Sequence, residues 1–275
     1  MIQIDAHQHF WTPARGDYGW MQDNPAVDSI RRVILPRDLE PILRRLGIER
    51  TILVQAAESF EETEYMLGLA DATDWIAKVV GWIDFENRSH QEKIKRFAQH
   101  QKFAGLRPMI QDIADVDWML KPEISWAYEA IIEHDLTFDA LGFPRHLENF
   151  LTLFKRYPQM RIVVDHGMKP QIRNNAFAEW APGIEKIATQ TNAYCKVSGL
   201  ATEANADWNA QSLKPYIEHL LACFGPDRLM WGSDWPVLEL AGTYEAWHNI
   251  ARELIPNVHH AAIFGGNAAK FYRID

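Results

Sequence analysis

His7 and His9 stand one residue apart near the start of the chain, in Ile4-Asp5-Ala6-His7-Gln8-His9. On an extended segment two imidazoles at that spacing share a face, because side chains alternate along a strand. Such a pair can hold a water molecule or a metal ion. A carboxylate able to draw a proton from that water lies far along the chain: Asp234, in Met230-Trp231-Gly232-Ser233-Asp234-Trp235-Pro236, directly after an apolar run that reads as a strand. His166 follows another apolar run, 161–165, and strand alternation predicts that Asp165, one position earlier, faces the opposite side. Arg107 ends Phe103-Ala104-Gly105-Leu106 and precedes Pro108, where its planar fork suits a carbonyl or carboxylate oxygen. Lys169 and Arg145, similarly placed, read as structural. Trp11, Tyr18, Trp20, Trp118 and Trp235 fall in or beside segments that follow strands, where flat aromatic faces suit a small organic ring. Each feature alone has an ordinary explanation: a hydrogen-bonded histidine pair in the core, a turn carboxylate at Asp234, a surface ion pair at Arg107.

The elements that must position these groups recur regularly. Short β-branched or apolar runs predict strands at 2–5, 51–55, 78–83, 103–106, 137–141, 161–165, 193–197 and 229–232. Between them, helical patterns cover 38–46, 61–72, 90–100, 123–134, 145–156, 177–190, 212–223 and 243–254, several with Gly or Pro just beyond their ends. Eight strand–helix units in 275 residues predict an α/β protein of the (β/α)8, or TIM-barrel, type as one domain over 1–275. The competing open sheet lacks its Gly-rich phosphate turn after the first strand, where His7-Gln8-His9 stands instead. In a barrel, reactive groups gather where the strands end, and His7, His9, Arg107, His166 and Asp234 all occupy such positions. The segment 10–33 is too long and irregular for a tight turn and is expected as a loop over that face.

Composition narrows the function. Lys plus Arg at 28 against Asp plus Glu at 37 gives a net charge of −9, which disfavours capture of a nucleic-acid backbone or an anionic membrane. The N-terminus has an acid and histidines where a signal peptide needs a basic start and an apolar core, and no apolar run approaches a bilayer-spanning length, so a cytoplasmic location is expected. Cys195 and Cys223 fit neither a disulfide framework nor a structural zinc site and are expected as small buried hydrophobes.

In order along the chain, IDAHQHFW at 4–11, GLRPMIQD at 105–112, VDHGMKP at 164–170, CKVSGL at 195–200, MWGSDWPV at 230–237 and GGNAAKFYRI at 265–274 resemble the amidohydrolase superfamily, in its branch of amidohydrolase-2-type lactonases. The resemblance implies a metal-dependent-hydrolase-like (β/α)8 barrel that hydrolyses a sugar-acid lactone of the fucono-, rhamnono- or galactono- kind. It implies a catalytic site of His7, His9, His166 and Asp234, with Arg107 at the substrate; Trp118, Trp235, Tyr18 and Trp20 are expected as substrate contacts from their place beside the strand ends. Metal-dependent relatives place a lysine, glutamate or cysteine after strand four and a histidine after strand five. This chain offers Arg107 and Phe138-Asp139-Ala140-Leu141-Gly142 there, so no cofactor is expected to be required. Should one divalent ion such as zinc bind, His7, His9, His166 and Asp234 are the expected ligands. A metal-dependent decarboxylase or amide hydrolase, or a sugar-binding barrel without catalysis, are the alternatives.

Overall fold

The computed structural model describes residues 2–275. Eight parallel strands pair in chain order: β1 (Ile4–Gln8), β2 (Arg50–Val54), β3 (Ile76–Gly81), β4 (Phe103–Leu106), β5 (Thr137–Ala140), β6 (Arg161–Val164), β7 (Tyr194–Val197) and β8 (Leu229–Trp231). The ring closes just beyond β8, where Asp234 N donates to His7 O (2.8 Å) and His9 N donates to Trp235 O (2.8 Å). Closure and site therefore share residues: the seam that makes the sheet a barrel also sets Asp234 beside the histidines. The helices are α1 (Pro36–Leu46), α2 (Phe60–Asp71), α3 (Gln91–Ala98), α4 (Ser125–Glu133), α5 (Leu147–Arg156), α6 (Phe177–Gln190), α7 (Leu200–Glu203), α8 (Ala210–Phe224), α9 (Tyr244–Leu254) and α10 (Asn267–Tyr272).

Inside the barrel, Ile4, Ala6, Ile52, Val54, Val80, Ala104, Val163 and Met230 form a buried apolar cluster that also takes in Ala268, Phe271 and Tyr272 of α10. The C-terminal helix therefore plugs the lower mouth. It is fastened by Asn267 Nδ2, which donates to the carbonyls of Leu229 (2.6 Å) and Pro226 (2.7 Å), and by the Arg161 guanidinium, which donates to Phe271 O (2.6 Å). The larger core lies between the outer faces of the strands and the helices. Burying one large apolar side chain there contributes about 1.5–3 kcal/mol.

The strand–helix alternation matches the expected pattern, with shifts at the ends. Strand β1 begins and ends later than the 2–5 expected, and its register against β2 slips between Asp5 and Gln8. Strict alternation from Ile4 and Ala6 would turn His7 outward; the slip lets it join them inside, a known use of bulges beside active sites. Helices α7 and α10 were not anticipated, being too short for an amphipathic period to declare itself. Segment 10–33 folds as three 3-10 turns, based on an antiparallel bridge between Trp11 and Ile34. Cys195 is buried as expected, whereas Cys223 is only half-buried. Among the described residues no helix is long and apolar enough to cross a membrane.

Candidate active site

At the C-terminal ends of the strands three imidazoles converge on one carboxylate oxygen. Asp234 Oδ1 lies 3.2 Å from His9 Nε2, 3.8 Å from His7 Nε2 and 3.8 Å from His166 Nε2. The His7 ring centroid is 4.9 Å from that of His9 and 4.5 Å from that of His166. Two of these rings are steered from behind. His9 Nδ1 is 2.7 Å from Val54 O, and since a carbonyl only accepts, Nδ1 carries a proton; the contact of Nε2 with Asp234 Oδ1 is a hydrogen bond when Nε2 is protonated as well. His166 Nδ1 meets the Ser198 hydroxyl at 2.8 Å.

The backbone bends sharply to bring these groups in. Asp234 (φ 60°) and His166 (φ 55°) occupy the left-handed region, and Gly167, Met168 and Lys169 continue His166's turn with φ between 49° and 64°. For residues with a Cβ this conformation is strained, and such strain gathers where structure serves function. It also corrects the expectation for Asp165. Because His166 leaves the strand's alternation, Asp165 and His166 both point into the site instead of to opposite faces. Gly199, at φ +62°, lies under the His166 ring, where a Cβ would come within 2.6 Å of Nδ1. Behind β1, Asp5 accepts from Ser233 N (2.8 Å), Ser233 Oγ (2.6 Å), Tyr244 OH (2.8 Å) and His7 N (3.1 Å). It thus pins the turn that presents Asp234; burial pushes its own carboxyl up to about 6, against those donors.

Beneath the histidines is a buried charge network. Lys196 Nζ lies 2.6 Å from Asp139 Oδ2, 3.0 Å from Asp165 Oδ1 and 3.2 Å from His7 Nδ1. Asp139 also accepts from Tyr272 OH (2.7 Å) and Thr137 Oγ1 (3.0 Å), which ties the network to α10. Arg107 Nη1 lies 3.3 Å from Asp165 Oδ2 and 3.4 Å from His7 Nε2. Gln55 clamps Arg107 from both sides, its Nε2 donating to Arg107 O (2.7 Å) and its carbonyl accepting from the guanidinium.

Burial opposes charge throughout this region, and neighbours decide which groups keep it. Desolvation drives His7 well below the usual imidazole range, more than the nearby Asp165 raises it, and holds His166 down at about 4. Both rings are neutral near pH 7. For Asp234 desolvation acts upward but is outweighed by the surrounding imidazoles, His166 first, then the His9 hydrogen bond and His7, and the carboxyl is held well below its usual range. Asp165 is also held well down, with Lys196, His7 and Arg107 overcoming its burial. Asp139 is raised by burial and by the Asp165 charge in spite of Lys196.

The residues expected from sequence as catalytic, His7, His9, Arg107, His166 and Asp234, thus meet in one place. The expected aromatic contacts are more scattered. Trp118 walls a cavity of about 270 Å³ shared with Trp82, Met109, Glu58 and Asp84, and donates its indole N–H to Glu86 (2.8 Å). Trp20 donates to Ala56 O (2.7 Å), drawing segment 10–33 over the end of β2. Tyr18 is buried, and its hydroxyl has no partner among the described residues. Trp235 is buried against Phe10 and donates to Glu239 (2.9 Å), which places it in the core. Sequence reasoning missed Lys196, Asp139, Asp165, Gln55, Ser198 and Asp5. The available signal was a charged residue inside a short apolar strand, as in Tyr194-Cys195-Lys196-Val197 and Thr137-Phe138-Asp139-Ala140, since such a residue is rarely buried without a partner.

The donor set suits a metal ion. His7, His9 and Asp234 form one group of convergent ligand atoms, and His7, Asp165 and His166 another. Tetrahedral zinc with bonds of about 2.0–2.1 Å would space its ligand atoms about 3.3 Å apart, close to the separations around Asp234 Oδ1. A sequence model of the family described as Amidohydrolase matches residues 4–274. The chain belongs to the amidohydrolase family. Within it, the chain is 43% identical over 282 residues to an L-fucono-1,5-lactonase from Burkholderia ambifaria, covering 100% of this chain and 96% of that protein. It is 32% identical over 294 residues to an L-fucono-1,5-lactonase from Burkholderia multivorans, covering 99% and 96%. A crystal structure of an amidohydrolase from Burkholderia multivorans with bound zinc superposes with a TM-score of 0.94 at 30% identity, covering 100% of both chains.

Proposed function

We propose that this amidohydrolase opens a sugar-acid lactone, of which L-fucono-1,5-lactone is the type substrate, to the free aldonic acid. The reading is supported by full-length similarity to two L-fucono-1,5-lactonases. It is carried by one observation: three imidazoles converge on the Asp234 carboxylate oxygen, with the Arg107 guanidinium beside them. Asp234 takes a proton from a water held near His7 and His9 as that water attacks the lactone carbonyl. Arg107, whose Nε has no partner among the described residues, and His166 donate to the carbonyl oxygen as it becomes an oxyanion. This role needs the Ser198 hydroxyl, 2.8 Å from Nδ1, to donate there, so that a neutral His166 carries its proton on Nε2. Donors aimed at developing charge lower the barrier more than they stabilise the bound substrate. As the tetrahedral centre collapses, the bond to the ring oxygen breaks and Asp234 returns its proton to that oxygen. Trp118 and Trp20 are the aromatic side chains offered to the sugar ring as apolar walls, whereas Trp235 and Tyr18 are buried in the fold.

A metal ion bound by His7, His9, His166 and Asp234 would supply Lewis-acid polarisation of the carbonyl. In our reading none is required. The test is release of acid from L-fucono-1,5-lactone, followed with a pH indicator on protein stripped of metal. Stripped wild type is expected to turn over, and Asp234→Asn to be slower by at least about 100-fold with an unchanged circular-dichroism spectrum. Activity that disappears on stripping and returns with zinc overturns metal independence; an active Asn variant overturns the assignment of the base.

A further inference from the structure

Lys196 lies wholly inside the barrel and has no part in the chemistry above. An ammonium group has three N–H donors and no acceptor. Around Nζ are Asp139 Oδ2 at 2.6 Å, Asp165 Oδ1 at 3.0 Å and His7 Nδ1 at 3.2 Å, so each donor faces one of them. The contact with His7 decides where that ring keeps its proton. Nδ1 can accept from Lys196 only through its lone pair, which places the proton of a neutral imidazole on Nε2. Arg107 Nη1 lies farther from the ring, 3.4 Å from Nε2, and has Asp165 Oδ2 as its own acceptor at 3.3 Å.

Histidines that ligate metals are arranged the opposite way: the ring nitrogen away from the metal donates to a carboxylate or carbonyl, leaving the ligating nitrogen bare. His9 follows that rule, with Nδ1 on Val54 O. His7 has a carboxylate within reach, Asp165 Oδ1 at 3.5 Å, but Lys196 Nζ faces the same oxygen at 3.0 Å. Lys196 stands between His7 and that arrangement.

We propose that Lys196 is a positioning residue that locks His7 in its Nε2–H form. His7 then serves the pocket as a hydrogen-bond donor, and the three-histidine site is weakened as a metal site. Removing the ammonium lets His7 Nδ1–H turn to Asp165 and bares Nε2. The inference deepens the reading of this pocket as one that hydrolyses lactones without metal, and its kinetic arm rests on that reading.

The experiment compares wild type, Lys196→Met and Lys196→Arg. Since Lys196→Met leaves Asp139 and Asp165 buried without their cation, the double variant Lys196→Met/Asp139→Asn is made alongside it. Two readouts are independent of activity. Long-range ¹H–¹⁵N spectra of the histidine rings, with the His7 signals identified by their loss in His7→Asn, report the proton position in the metal-free protein. Titration with zinc against a chromophoric chelator reports affinity. Wild type and Lys196→Arg are expected to show His7 protonated on Nε2, and both Met variants to show it on Nδ1 with zinc bound about 10- to 100-fold more tightly. An Nδ1–H ring in wild type, or zinc affinity no higher in the folded Met variants, overturns the proposal. In the kinetic arm, the metal-stripped Met variants are expected to lose kcat on L-fucono-1,5-lactone with KM little changed. A wild type that hydrolyses no aldonolactone refutes the lactonase reading and leaves the spectral and zinc results to judge Lys196.

Discussion

At the scale of single residues the site works by setting protonation states apart. The imidazoles around Asp234 hold its carboxyl well below the usual carboxylate range, while burial holds His7 and His166 below the usual imidazole range. A charged base and neutral donors thus coexist within 4 Å, the separation of roles that acid–base catalysis requires. Arg107 adds the fixed cation. Its fork reaches Asp165, the Gln55 carbonyl and the His7 ring together, a geometry that a single ammonium on a flexible stem cannot reproduce. Arg107→Lys is therefore expected to lower kcat on an aldonolactone by about 100-fold or more, within the range found when an oxyanion donor is lost. Steady-state kinetics checks this, and a variant within a few-fold of wild type would remove Arg107 from the mechanism. These five residues were legible in the sequence because each follows an apolar run at a strand end. Lys196, Asp139 and Asp165 were not. They lie within or directly after strands as lone charges, and only the closed barrel brings their partners, far apart in sequence, within 3.5 Å of one another.

At the scale of elements, stability and site geometry depend on the same joints. Asp5 on β1 takes four hydrogen bonds that fix the turn after β8. Replacing it with alanine orphans several buried donors at about 1–3 kcal/mol each. Asp5→Ala is expected to destabilise the protein by at least about 3 kcal/mol in urea unfolding and to lower kcat, because Asp234 loses its anchor. Unchanged stability would mean that the seam holds without it. On α9, His248 packs edge-on against Trp231 (5.1 Å) and Phe264 (5.7 Å), with neither ring nitrogen partnered among the described residues. Burial, with help from Arg252, pushes it down to about 4. The folded state therefore favours the neutral ring, while the unfolded chain takes up a proton near pH 6.5. The resulting stability is complete above about pH 6.5 and is lost as pH falls toward 4. Between pH 7 and pH 5 this group alone costs about 2 kcal/mol. His248→Leu should flatten that part of the pH dependence in parallel urea titrations, and an equal slope in both proteins would contradict the assignment. The repeating strand–helix order could be read from hydrophobic periodicity, whereas the slip in β1 and the left-handed turn at 166–169 could not. Both are backbone choices imposed by closure of the barrel, and no local propensity announces them.

At the scale of the whole molecule, the charge distribution bears on which lactone is accepted. The net charge is −9, and the cavity beside Trp118 is walled by Glu58 and Asp84. Burial and the neighbouring Asp112 and Asp84 raise the Glu58 carboxyl, the mark of a region already rich in negative charge. Arg15, Arg145, Lys169 and Arg173 each already have a partner, and Arg145 and Lys169 meet on Gln111 and over the Phe143 ring. Arg15 pairs with Asp17 (2.8 Å), Arg145 donates to Gln111 O (2.9 Å), Lys169 donates to Gln111 Oε1 (2.6 Å), and Arg173 donates to the carbonyls of Thr202 and Glu203. A dicarboxylate would need a cation for each carboxylate, and beside the imidazoles Arg107 is the guanidinium on offer; a neutral hydroxylated ring needs hydrogen-bonding groups and apolar faces. The decisive measurement is kcat/KM for L-fucono-1,5-lactone beside that for 2-pyrone-4,6-dicarboxylate, on one preparation and at one ionic strength. The sugar lactone is expected to be preferred by at least about 100-fold, on the order of the 2.7 kcal/mol that the difference in charge complementarity must supply. A higher kcat/KM on the dicarboxylate would contradict the account of this molecule as a sugar lactonase.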